Sequence, residues 1–170
     1  MVKTNFLMFI RGLPGAGKST ISNKISAITD SIVVDPDLIS DKNNKATHEE
    51  RFRKYKLCLS KAKKALITGH SVIWTQPWRK IQNILITINN LNSKDIRFLL
   101  VNMKIPTDES WNRSKTKFDN NREKFNNFVT KFTDFHKDFK VDSININGQK
   151  DIDENVKKII KFLGYNVGDE

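Results

Sequence analysis

The stretch Gly12-Leu13-Pro14-Gly15-Ala16-Gly17-Lys18-Ser19-Thr20 decides how this chain is read. It matches the pattern G-x-x-x-x-G-K-[ST], and its flanks supply the context that the pattern needs. Before it, Asn5 to Ile10 is an apolar run that reads as a buried strand. After it, Lys18 to Ile28 reads as a helix, with Ile21 and Ile25 four residues apart. A glycine-rich turn between a strand and a helix aims successive backbone N–H groups at one point, and the helix N-terminus adds partial positive charge. Such a turn receives phosphate oxygens. The pattern places residues Gly12 through Thr20 around a nucleoside triphosphate, Lys18 at its β- and γ-phosphates, and the Ser19 hydroxyl on Mg²⁺.

Outward from this loop, strands alternate with helices. Ser31 to Val34, Ser71 to Thr75, Ile96 to Val101 and Val141 to Ile146 read as further strands. Thr47 and Glu50 form a capping box at the start of a long helix that presents Phe52, Tyr55, Leu59, Ala62 and Leu66 on one face and ends at Gly69. Pro77 is expected to open a helix running to about Asn89, and Pro106-Thr107 the next one. Phe125, Phe128, Phe132, Phe135 and Phe139 fall at helical spacing, as a core stripe does, and Asp151 to Leu163 is the closing helix. Five strands with intervening helices predict an α/β fold: one parallel sheet, helices on both faces, in a single domain over residues 1–170.

Composition narrows the classes. Of 170 residues, 38% are apolar and 29% charged, which fits a globular chain and excludes disordered, collagen-like and mucin-like readings. Cys58 is the single cysteine, so neither a disulfide framework nor a cysteine-rich zinc site is available, and its helix-like surroundings predict a buried thiol. The first apolar run is stopped by Arg11 and Gly12, too early for a secretory segment, and no run approaches the roughly 20 apolar residues of a membrane span. A cytoplasmic protein with no membrane partner is expected. The net charge of +11 suggests a polyanionic partner, but abundant Asn, Ile and Lys are equally the mark of an A/T-rich genome. A guanine-reading N-K-x-D motif is missing, since Asn43-Asn44-Lys45 is followed by Ala46 and Thr47. That leaves a kinase for a small molecule or for a polynucleotide end.

The acceptor chemistry is expected at the end of the second strand, Val33-Val34-Asp35-Pro36-Asp37, because ligands of open parallel sheets bind at the strands' carboxyl ends. Asp37 is the candidate general base, and Asp35 the carboxylate that helps hold Mg²⁺. Trp74, Trp78 and Arg79 flank the third strand's mouth, where an aromatic suits stacking of a nucleobase. Asn147-Gly148-Gln149 follows the fifth strand.

The phosphate loop followed by Val34-Asp35-Pro36-Asp37 resembles the P-loop kinases of the polynucleotide kinase and zeta-toxin-like group, whose ATP-binding fold is of the AAA type. Chloramphenicol phosphotransferase shares the layout. The bacteriophage polynucleotide 5′-kinase domain is the nearest type, and His48-Glu49-Glu50-Arg51 with Tyr55-Lys56 resembles its next helix. The resemblance covers roughly Phe6 to Lys117 and implies a three-layer P-loop NTPase fold. It places the catalytic aspartate on Asp37 and a lid over about residues 107–125, with Arg113 and Lys117 closing over the γ-phosphate on one helix face and Arg122 as a weaker lid candidate. It places the adenine loop at Asn147-Gly148-Gln149. Two departures stand out: Ser40 replaces a phosphate-contacting arginine, and Val72-Ile73-Trp74-Thr75-Gln76 carries no acid where the group often has one. Mg²⁺ is then expected on Ser19, phosphates, water and Asp35. The expected activity is transfer of the γ-phosphoryl group of ATP to a hydroxyl, first the 5′-hydroxyl of a nucleic acid. With no phosphatase segment expected, end-healing would be 5′-phosphorylation alone. The alternatives are a small-molecule kinase acting on a nucleoside, sugar nucleotide or antibiotic, and a nucleotide-binding module with little phosphotransfer.

Overall fold

Phe6–Gly12 forms strand β1, and all seven of its residues are buried, as only a central strand covered on both faces can be. The computed structural model describes residues 5–42, 47–93, 95–133 and 139–165. Around β1 lie β2 (Ile32–Val34), β3 (Val72–Thr75), β4 (Arg97–Lys104) and β5 (Asp142–Asn147). All four ladders are parallel, in the order β2-β3-β1-β4-β5. The α-helices are α1 (Lys18–Thr29), α2 (His48–Ile67), α3 (Gln82–Leu91), α4 (Thr107–Ser114), α5 (Arg122–Val129) and α6 (Ile152–Phe162).

Strand alternation splits the core in two. Met8, Ile10, Ile73, Leu99 and Val101 face α1 and α6, meeting Ile21, Ile25, Val156 and Ile159. Leu7, Phe9, Val72, Trp74 and Leu100 face α2 and α3, meeting Cys58, Ala62, Leu66 and Ile84. The three-layer α/β architecture expected from the sequence is the one observed. Because β3 and β4 lie on opposite sides of β1, the chain reverses its winding there, which opens a crevice at the strands' carboxyl ends. No helix among the described residues is long and apolar enough to cross a membrane. Cys58 is buried in the α2 face, and burial pushes its thiol up to about 11.

Four local expectations are corrected. Pro77 does not start a helix: α3 begins at Gln82, after an irregular stretch. There Trp78 turns into the left-handed region (φ 48°) and buries its indole edge-on against Phe9 and Trp74, at 5.1 and 5.3 Å between ring centroids. The same burial removes Trp74 and Trp78 as stacking platforms, since both are core residues. The phenylalanine stripe is not one helix. Phe125 and Phe128 lie on α5, Phe132 lies beyond its end, Phe139 joins the α2–α3 core, and Phe135 falls outside the described residues. Along α2, Phe52 is half exposed. The first turn of that helix is occupied with the 36–42 segment instead, because the Glu50 carboxylate accepts from the Lys42 N–H and from Arg53. The Thr47 hydroxyl does cap the Glu50 N–H, at 3.2 Å.

Candidate active site

The phosphate loop is a backbone structure. β1 ends at Gly12, Leu13 and Pro14 begin the turn, the Ala16 N–H closes it on the Leu13 carbonyl at 3.2 Å, and Gly17 opens α1. Lys18 Nζ donates to the carbonyls of Gly12 (3.0 Å) and Leu13 (2.9 Å), which brings its ammonium across the mouth of the loop. Burial, together with the nearby charge of Lys117, lowers Lys18 to about 8 against the opposing pull of Asp37 and Asp35. Ser19 and Thr20 are exposed on the first turn of α1. Gly15 sits in the left-handed region at φ 75°, and a Cβ there would stand 2.7 Å from the Cβ of Arg113, so the helix that carries Arg113 packs directly on glycine backbone.

That contact is made by α4. Arg113 Nη1 donates to the carbonyls of Gly15 (3.2 Å) and Gly148 (3.4 Å), while its Nε is held by Glu109 at 2.7 Å. Ser110, fully buried, donates its hydroxyl to the Pro14 carbonyl at 2.7 Å. Nothing in the sequence reading singled out Ser110; the small pair Ser110 and Ser114, four apart on an otherwise bulky helix, was the signal for it. Lys117 is not on the same helix face as Arg113, because α4 ends at Ser114 and Lys115–Phe118 is a 3₁₀ turn. Its charge still reaches Lys18 and Asp35. Arg122 folds back onto α4, paired with Asp108 at 2.6 Å and lying 5.2 Å over the Trp111 ring.

The second strand delivers the two carboxylates. Asp35 caps a 3₁₀ turn at Pro36–Leu38, accepting from the Asp37 N–H at 2.9 Å. Partial burial raises the Asp35 carboxyl, and the Asp37 N–H opposes that shift. Asp37 is exposed, and its charge reaches Lys18. The segment that follows is tied to α2 in three places. Arg53 donates to the Ser40 carbonyl at 2.7 Å, Glu50 accepts from Lys42 N–H at 3.1 Å, and Lys54 pairs with Asp41 at 2.8 Å. Arg53 also forks onto Glu50, holding that carboxyl at about 2.

Strand end, phosphate loop and α4 thus converge at one end of the sheet, and residues 7–140 match the family described as the AAA domain. The chain belongs to this family. A search of the curated proteins finds no match. Solved structures similar to it share its fold. The APS kinase of Mycobacterium tuberculosis, bound to AMPPNP and APS, is 17% identical, with 95% of this chain and 98% of that one covered and a TM-score of 0.71. A gluconokinase from Sinorhizobium meliloti is 12% identical, covering 95% and 93%, with a TM-score of 0.68. A deoxyadenosine kinase from M. mycoides is 18% identical, covering 94% and 98%, with a TM-score of 0.59.

In this AAA domain the loop after β3 is organised by a residue the sequence reading passed over. Arg11 is buried on β1, and its guanidinium spans long sequence distances. It donates to the carbonyls of Trp78 (2.8 Å), Arg79 (3.3 Å) and Thr133 (2.5 Å), and to Asn102 (3.3 Å). Phe132 lies beneath it at 5.2 Å. Arg79 in turn lies 4.8 Å over Phe128. The loop after β3 and the segment after α5 are thereby fastened to the strand that carries the phosphate loop. On the other flank, Gly148 has no room for a side chain: a Cβ would meet the Ala16 carbonyl at 2.9 Å. Beside it a cleft of about 420 Å³ is lined by Ile105, Pro106, Asn147, Gln149 and Lys158.

The motif implies Mg²⁺, and the donors suit it. Ser19 and Asp35 offer hard oxygen ligands, and the buried Thr75 hydroxyl at the end of β3 has no hydrogen-bond partner. Ser19 would bind the ion directly and Asp35 would assist.

Proposed function

We propose that this AAA domain protein is an ATP-dependent kinase whose acceptor is the hydroxyl of a small molecule. One observation carries the reading: a phosphate cradle rimmed by Arg113 and spanned by Lys18 lies within electrostatic reach of the carboxylates of Asp35 and Asp37. That constellation positions and neutralises a transferring phosphoryl group, which is nearly all that such catalysis requires. Mg²⁺, held through Ser19 and Asp35, would neutralise charge on the β- and γ-phosphates. Asp37 takes the proton of the acceptor hydroxyl as its oxygen bonds to the γ-phosphorus. The bond to the β–γ bridging oxygen breaks, and ADP leaves with that electron pair. Lys18, Arg113 and Lys117 stabilise the charge that spreads over the γ-phosphate oxygens.

Two facts support a small acceptor over a polynucleotide end, the reading first expected. Trp74 and Trp78 are buried in the core, so the stacking surface expected for a nucleic-acid base is not there. The solved structures that share this fold include a gluconokinase, an APS kinase and a deoxyadenosine kinase, all named for small substrates. The cleft at Asn147 and Gln149 is proposed for the nucleobase of ATP.

The test is label transfer from γ-labelled ATP in Mg²⁺. The panel offers nucleosides, sugar acids, sugar nucleotides and adenylylated anions beside 5′-hydroxyl RNA and DNA. Label on a small molecule, lost in Lys18→Ala and in Asp37→Asn, is the expected result. Label on an oligonucleotide would overturn the small-acceptor assignment, and bound ATP with no label on any acceptor would support a nucleotide-binding module.

A further inference from the structure

Among the described residues, the Thr75 hydroxyl is the buried side-chain polar atom that no donor or acceptor meets. Thr75 is 1% exposed. Burying a hydroxyl without a partner is costly, and a valine of the same shape would avoid the cost. The register shows where the hydroxyl-bearing side chain points. Paired residues of a parallel ladder share a face. Met8 and Ile73 pair and lie in the α1 core, Phe9 and Trp74 pair and lie in the α2–α3 core, and Thr75 pairs with Ile10, which is back in the α1 core. Thr75 is therefore one step beyond Ile73 on the α1 side, at the carboxyl end of β3. Beside it β1 runs from Ile10 into the phosphate loop, and α1, which packs on β3, begins there with Lys18 and Ser19.

We propose that Thr75 is a positioning residue for the metal, its hydroxyl accepting a hydrogen bond from a water of the hydrated Mg²⁺ that Ser19 binds. The proposal rests on the nucleotide reading above. Mg²⁺ gives up its waters reluctantly, and each retained water needs an acceptor. No acid stands at this strand end to provide one, since the residues are Trp74, Thr75 and Gln76. Thr75 supplies a neutral acceptor, and loss of such an outer partner costs about 10-fold or more in metal affinity.

The experiment titrates a fluorescent ADP analogue into the full chain, first in EDTA and then across a Mg²⁺ series, and records melting of the ligand-free protein. For Thr75→Val the expected result is a melting temperature equal to or above wild type, unchanged affinity in EDTA, and a Mg²⁺ requirement raised about 10-fold. Thr75→Ser should behave as wild type. A wild-type Mg²⁺ requirement in Thr75→Val would overturn the proposal. So would a lowered melting temperature with affinity lost equally in EDTA, which marks a purely structural hydroxyl. If wild-type protein bound no nucleotide in either condition, the nucleotide reading itself would fail and the proposal with it. That outcome is distinct from the others, in which wild type binds.

Discussion

The two ends of the active crevice are built in different ways. On the nucleotide side, the loop from Gly12 to Ser19, the Gly148 turn and the N-terminus of α1 are shaped by backbone, and α4 docks on them through Ser110 and Arg113. On the side proposed for the acceptor, the 36–42 segment and the loop after β3 are held by long side chains: Arg53 and Glu50 in one case, Arg11 in the other. A backbone-built site tolerates changes in most side chains but not in its glycines or its one ammonium. A side-chain-built site changes with single substitutions and can be refitted to another acceptor while the phosphate cradle stays the same.

The sharpest attack on this division compares Lys18→Ala with Asp37→Asn. Each should lower turnover by about 10³-fold, the first by removing charge from the transferring phosphate and the second by removing the proton acceptor. Only Lys18→Ala should also weaken nucleotide binding, measured by calorimetry. Equal loss of nucleotide affinity in Asp37→Asn would show that the two ends are not separable. Arg113→Ala should follow, lowering kcat about 10- to 100-fold with melting nearly unchanged, because its side chain is partly exposed and its partners are the neighbouring Glu109 on the same helix and carbonyls at the loop rim.

Arg11 tests the other end. Replacing it with Met takes the guanidinium donor from the carbonyls of Trp78 and Thr133, whereas the Arg79 carbonyl keeps the Thr133 N–H, so about 3 kcal/mol of stability should be lost in denaturant unfolding. The surviving enzyme should show a raised KM for the acceptor and a near-normal KM for ATP. A reversed pattern, with KM for ATP raised, would mean that Arg11 serves the phosphate loop beside it in sequence and not the wall it contacts.

The same division explains what the sequence revealed. The cradle is local: nine consecutive residues between a strand and a helix, with conformations dictated by glycine and by chain direction. The parallel sheet could be anticipated from alternating strands and helices, whereas its strand order came only from the structure. The acceptor wall is non-local. Arg11 bonds residues 67 to 122 positions away, and no spacing rule links them. Pro77 carried a true helix-start signal that lost to the burial of Trp78, and the phenylalanine spacing was satisfied by three separate local structures. Tertiary packing overrode local preference in both places, and both lie on the acceptor side.

The smallest effect expected is a pH dependence, and it separates the cradle from the rest of the fold. Lys18 loses its proton near pH 8 in the folded protein against a usual 10.5, so between those values the unfolded chain holds the extra proton. The ligand-free protein should therefore gain stability from this group as pH rises through that window. Nucleotide binding should move the other way. Phosphate oxygens favour the ammonium, so binding above pH 8 takes up a proton, and affinity should fall by at most about tenfold per pH unit. Calorimetry in buffers of different ionisation enthalpy reads that uptake directly. Lys18→Met should abolish both trends, whereas Arg113→Ala should leave both in place. If Arg113→Ala removed the proton uptake, the ammonium would owe its depressed value to α4 and not to the loop that carries it.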